Sequence, residues 1–128
     1  MGSNTNKNGD YLGPRAESDW LYVYPEGIRG LMTWIDKRYS TKDLKQTIYI
    51  IENGVSVPDE TRIPIADSIR DTFRVNYFKN YIQNLISSVT EDGVNVKAYF
   101  AWSFMDNFEW ADGYNVRFGM TYVDYANS

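Results

Sequence analysis

Thr47-Ile48-Tyr49-Ile50-Ile51, running into Glu52-Asn53-Gly54, is a short β-branched stretch that stops on a carboxylate and a turn pair. A run without polar alternation predicts a strand buried on both faces, the kind found where helices cover both sides of a parallel sheet. The flanking sequence agrees with that architecture. Upstream, from Pro25 to Tyr39, the apolar residues Ile28, Leu31, Met32, Ile35 and Tyr39 recur at helical spacing, with Pro25 at the first position. Ser40 to Gln46 is a polar turn. Downstream, Val55 to Arg70 carries Pro58 and Pro64 with little periodicity and reads as a long loop, a type uncommon unless functional. Asp71 is placed to cap a second helix in which Phe78, Tyr81, Ile82, Leu85, Ile86 and Val89 repeat at helical spacing until Glu91-Asp92-Gly93. Val96 to Ser103 then alternates, with Val96, Ala98, Phe100 and Trp102 on one face and Lys97, Tyr99, Ala101 and Ser103 on the other. The order helix, strand, helix, strand predicts parallel strands joined through a helix, an α/β architecture. Residues 1–14, rich in Gly, Asn and Ser, read as a flexible lead, which leaves 15–128 as the folded part.

Composition narrows the chemistry. The chain of 128 residues contains no Cys and no His. Disulfides, thiol nucleophiles, Ser-His-Asp catalysis and the usual zinc sites are thereby excluded, which leaves carboxylates as the main catalytic groups. Thirteen basic against 17 acidic residues give a net charge of -4 with no Lys/Arg cluster, so binding to a nucleic-acid backbone is not expected. No stretch reaches the roughly 18 apolar residues of a membrane span. No signal region or glycosylation sequon is visible, and Asn6 occupies the place where a myristoylation motif wants Ser or Thr. Aromatic residues make up 16% of the chain, enough to suit a site that stacks on flat ligands, although most of them are expected to fill the core.

Two segments carry a family resemblance. One is Glu52-Asn53-Gly54; the other is the aromatic run from Tyr99 to Asp124, which contains Trp102-Ser103-Phe104-Met105-Asp106-Asn107-Phe108-Glu109-Trp110. Ser18 to Gly27 and Asp71-Thr72-Phe73-Arg74 with Tyr77 add to it as scaffold segments. Together they resemble glycoside hydrolase family 1, in particular plant β-glucosidases that act on alkaloid or defence glucosides. The resemblance covers the chain from about residue 9 onward and implies the C-terminal quarter of a (β/α)8 barrel: helix 6, strand 7, helix 7, strand 8 and the following loop. Such a barrel typically takes about 250 residues, so this chain can hold two of its strands.

The resemblance also implies roles. Glu52 would be the nucleophile of a retaining β-glucosidase, at the strand end where barrel enzymes place their catalytic groups. On position alone, a glutamate there is more often a solvated loop residue or a helix cap. Ile51 stands where the family motif has Thr. Trp102 would stack under a glucose ring, Glu109 would accept hydrogen bonds from its hydroxyls, Trp110 would donate its indole N–H, and Phe118 would line the pocket near the hydroxymethyl group. Retaining hydrolysis needs a second carboxyl group about 5–5.5 Å from the first. The family's Asn-Glu-Pro acid/base motif does not occur here, and Glu109 belongs to a binding motif. The expected whole is a β-glucoside hydrolase that uses no metal or cofactor, with the isolated chain inactive. The alternative is a truncated isoform that binds and regulates the full-length enzyme through exposed strand edges.

Overall fold

The computed structural model describes residues 4–127. Helix α1 spans Glu26–Tyr39, strand β1 Ile48–Asn53, the single-turn helix α2 Ile65–Ser68, helix α3 Thr72–Thr90 and strand β2 Val96–Ala101. The strands pair in parallel. This is the α/β order expected of a quarter of a (β/α)8 barrel.

The helices start and stop where local chemistry directs them. In α1, Pro25 precedes the first turn, Glu26 lies in that turn and Lys37 and Arg38 in the last, so the charges complement the helix dipole. In α3 the Asp71 carboxylate accepts the Arg74 backbone N–H at 2.9 Å, the expected cap. Both helices bury a narrower stripe than their sequences offer. Ile28 and Met32 of α1 are buried, whereas Leu31 and Tyr39 are more than half exposed. On α3 the buried line is Arg74, Tyr77, Tyr81, Leu85 and Ser88. Ile82, Ile86 and Val89, expected on the packed face, are exposed.

One core holds these elements together. Ile28 and Met32 from α1, Tyr77, Tyr81 and Leu85 from α3, and Val55 and Val94 form it, with Ile48 and Ile50 of β1 and Val96 and Tyr99 of β2 packed against them. The two helices therefore cover a single face of the sheet. That corrects the expectation of a strand buried on both faces, since Tyr49 and Ile51 are 59% and 74% exposed. Nothing among the described residues covers their side. The alternation expected of β2 is also broken. Val96 and Tyr99, an odd step apart, both pack on the core because the register slips by one residue between the Ile48–Val96 and Tyr49–Ala98 pairs.

The segment read as a long loop is more ordered than that. It contains a 3-10 turn at Glu60–Arg62 as well as α2, and it buries Val55, Ser56, Glu60 and Ser68. Of the lead at 1–14, residues 1–3 lie outside the described residues. Within 4–12, Asn6 accepts the backbone N–H groups of Asn8 and Asp10 on its side-chain oxygen, and Tyr11 stacks on Tyr22 with centroids 5.1 Å apart.

Candidate active site

Parallel pairing brings the C-terminal ends of β1 and β2 side by side, and Glu52 and Trp102 with them. The Trp102 N–H donates to the Asn53 carbonyl at 2.8 Å. Gly54 passes directly beneath this contact, where a Cβ would stand 1.7 Å from the Trp102 carbonyl oxygen. Only glycine fits that approach.

After Trp102 the chain runs out and returns. Ser103 N–H donates to the Phe118 carbonyl at 3.0 Å, and Met120 N–H donates to the Ser103 carbonyl at 2.8 Å. Asp106, buried, fastens the returning segment: its carboxylate accepts the Gly119 and Val123 N–H groups at 2.9 and 3.0 Å and pairs with Arg117 at 2.5 Å. The Arg117 guanidinium also lies over the Tyr122 ring, 4.2 Å from its centroid. The return delivers Phe118, 5% exposed, back to the strand ends.

Glu52, Trp102 and Phe118 line one cleft of about 260 Å³, completed by Tyr77, Tyr81 and Trp20 among others. Glu109 joins the cluster indirectly, because the Trp102 indole N–H donates to its carboxylate at 3.3 Å. Trp110 does not line the cleft. It sits in a 3-10 turn with φ of 43° and is 85% exposed. Among the described residues lining the cleft, Glu52 is the sole carboxylate. A larger groove of about 560 Å³ lies between α1 and α3. Its charges are taken up by exposed pairs such as Arg29 with Asp92 at 2.7 Å, and it lies away from the strand ends, so it is not the candidate site.

Behind the cleft runs a polar chain. The Tyr99 hydroxyl donates to the Asn53 side-chain oxygen at 2.8 Å, and the Tyr81 hydroxyl accepts the Tyr24 N–H at 3.0 Å. Tyr77 lies beside them and stacks on Tyr81 with ring centroids 4.1 Å apart. Burial, reinforced by the neighbouring hydroxyls, raises the Tyr77 pKa well above its ordinary value; burial first and then Tyr81 push Tyr99 up to about 12. These hydroxyls stay neutral and keep their protons for bonding.

A second buried group braces the surroundings. Arg74, 4% exposed, pairs with both oxygens of Glu60 at 3.0 and 2.5 Å and with Asp71, and donates to the Val55 and Arg117 carbonyls. Burial pulls its pKa down, but the two carboxylates outweigh that and leave it above the ordinary value. Sequence reading placed Arg74 and Tyr77 in the scaffold and did not assign Asn53, Tyr81 or Tyr99 to the site. The available signal was Arg74 itself, a charged residue in line with Tyr77, Tyr81 and Leu85 on the packed face of a helix.

Comparison with known proteins adds to this geometry. The family model described as Glycosyl hydrolase family 1 matches residues 1–128. Beta-glucosidase 42 of Arabidopsis thaliana is 50% identical over 121 residues, 94% of this chain and 24% of that protein. Among solved structures, beta-glucosidase 2 from the fungus Trichoderma reesei superposes with a TM-score of 0.88 at 50% identity, over 96% of this chain and 26% of the other. A beta-glucosidase from the fungus Humicola insolens, solved in complex with glucose, gives a TM-score of 0.87 at 48% identity, over 95% of this chain and 25% of the other. The chain spans about a quarter of the length of the curated relatives it matches, 22% and 24% in two of them.

Proposed function

Because the chain belongs to glycosyl hydrolase family 1, we propose that it supplies the nucleophile and part of the glucose site of a retaining β-glucosidase. The observation that carries this reading is the gathering of Glu52, Trp102 and Phe118 around one cleft at the ends of two parallel strands, with Glu109 tied to the Trp102 indole. The relative solved with glucose supports the substrate class.

In this reading the Glu52 carboxylate attacks the anomeric carbon of a β-glucoside as the bond to the leaving oxygen breaks. A general acid protonates that oxygen, and a glucosyl ester forms on Glu52. Water, deprotonated by the same group, then releases glucose with retention. No second carboxylate stands beside Glu52 among the described residues of the cleft, so the acid/base comes from another part of the barrel. Trp102 offers a ring face to the apolar C–H side of the sugar. Glu109 accepts from its hydroxyls, each charged acceptor contributing about 1.5–3 kcal/mol. Phe118 lines the hydroxymethyl end. Trp110 reaches the sugar from its exposed turn through its indole N–H.

The test is covalent trapping in a complete barrel carrying this segment. A 2-deoxy-2-fluoro-glucoside should label Glu52, and Glu52→Gln should remove both label and turnover while the fold persists. An adduct on another residue would sink the assignment.

A second reading rests on the open sheet. Both outer strand edges are unpaired among the described residues, and Tyr49, Ile51 and Phe100 are exposed beside them. As a separate chain it would seek a longer family 1 enzyme that uses the same surfaces internally, and so regulate it. Co-purification with such an enzyme, with loss of its activity, is the expected outcome.

A further inference from the structure

We propose that Asn53 is a positioning residue for Glu52: its side-chain amide, held by the Tyr99 hydroxyl, anchors an extra residue in β1 that turns the Glu52 carboxylate out of the apolar core and into the cleft. The inference rests on the reading of Glu52 as nucleophile. It is carried by the strand register. Ile50 pairs with Tyr99 and the next pair is Asn53 with Ala101, so β1 takes three steps where β2 takes two. An extra residue of this kind re-aims the side chains around it.

Simple alternation would give a different site. Ile48 and Ile50 pack on the core. Under strict alternation Glu52 would follow them into the apolar core, where its carboxylate would lose hydration, a costly placement. Asn53 would face away from the helices. The structure has the reverse arrangement. Ile51 and Glu52 are both exposed, and Asn53 turns to the core side.

There the amide oxygen accepts from the Tyr99 hydroxyl at 2.8 Å, and Tyr77 stands nearby, stacked on Tyr81 with ring centroids 4.1 Å apart. The Tyr24 N–H occupies a lone pair of the Tyr81 hydroxyl at 3.0 Å. Asn at 53 offers the acceptor that Tyr99 needs without carrying a charge. Asp could accept from Tyr99 only by placing a charge on the core side, and Ala could not accept at all. The Asn53 carbonyl meanwhile receives the Trp102 N–H, so the same residue ties the nucleophile's strand to the stacking ring.

Two measurements test this. On the isotope-labelled chain as it stands, nuclear magnetic resonance should show cross-relaxation between the Glu52 γ-protons and the Trp102 ring. Asn53→Asp and Tyr99→Phe should weaken it and speed exchange of the Trp102 amide about tenfold, as expected when a local closure is loosened. In a complete barrel, Tyr99→Phe should lower the rate constant for labelling by a 2-fluoro-glucoside about tenfold to a hundredfold, the scale of small misplacements, with its apparent binding constant nearly unchanged. A merely structural role would lower the melting temperature without that split between rate and binding. An unaltered Glu52–Trp102 cross-peak in Asn53→Asp overturns the positioning role even where the label maps to Glu52. Labelling of a different residue overturns the nucleophile reading instead and leaves the resonance result standing as the test of strand geometry.

Discussion

Gly54 sets the tightest constraint on any single residue of the site. Since a Cβ there would meet the Trp102 carbonyl oxygen at 1.7 Å, Gly54→Ala forces β1 and the Trp102 segment apart. A loss of about 2–3 kcal/mol is expected, at the upper end of the usual overpacking cost, and chemical denaturation would measure it. Gly30, where an added Cβ would meet nothing within 4 Å, provides the control, and Gly30→Ala should leave stability equal or better. At this scale much of the site was legible in the sequence. Glu52, Trp102 and Phe118 sit in recognisable motifs, and the structure brings them to one cleft. Asn53 was readable only as a member of the same motif. Its hydrogen bond from the Tyr99 hydroxyl joins residues 46 positions apart, and no local pattern encodes it.

Among the elements, the segment from Val55 to Ser68 is held by charge more than by apolar packing. Glu60 and Arg74 are both nearly inaccessible, at 5% and 4% exposure. Removing one partner of a buried pair strands the other, so Glu60→Gln should cost about 3–5 kcal/mol. Arg62→Gln breaks only the exposed pair with Asp59 and should change the denaturation midpoint little. The tyrosine chain that joins α3 to both strands makes a separate prediction about pH. Burial raises the folded-state pKa of Tyr99 to about 12 and that of Tyr77 further, while an unfolded tyrosine titrates near 10. The unfolded chain therefore loses these protons first. Stability should be fully present below pH 10 and decline as pH rises from about 10 to 12, and Tyr99→Phe should flatten that decline. The short helix α2 and the 3-10 turn were hidden in a segment with two prolines and no period, because the turn is held by the distant Glu60–Arg74 pair, which no local pattern encodes.

For the molecule as a whole, one covered and one open face of the sheet decide what it can do. Turnover of an aryl β-glucoside by the chain alone is not expected, since no second carboxylate stands with Glu52 among the described residues of the cleft and loss of general acid assistance costs about 10²- to 10⁴-fold. Activity from the pure chain that disappears in Glu52→Gln would refute this. Charged substitutions at Tyr49 and Ile51, on the open face, should weaken any association with a longer family 1 enzyme. Substitutions at Asn6 or Asn8 should leave it intact, as pull-down at matched concentrations would tell.

The order of helices and strands and their parallel pairing were determined by the sequence itself, as were the candidates Glu52, Trp102 and Phe118 that the structure gathers at one cleft. Helical spacing, the Asp71 cap and the Glu52-Asn53-Gly54 motif are all local features. Which apolar residues are buried was decided only in three dimensions. Tyr49, Ile51, Leu31 and Ile86 are as hydrophobic as their buried neighbours, and their exposure depends on whether another element lies against them. The direction of the Glu52 side chain was likewise a tertiary matter. It follows from one extra residue in a strand register, and register depends on the partner strand and on the tyrosines behind it, none of which is adjacent in the chain.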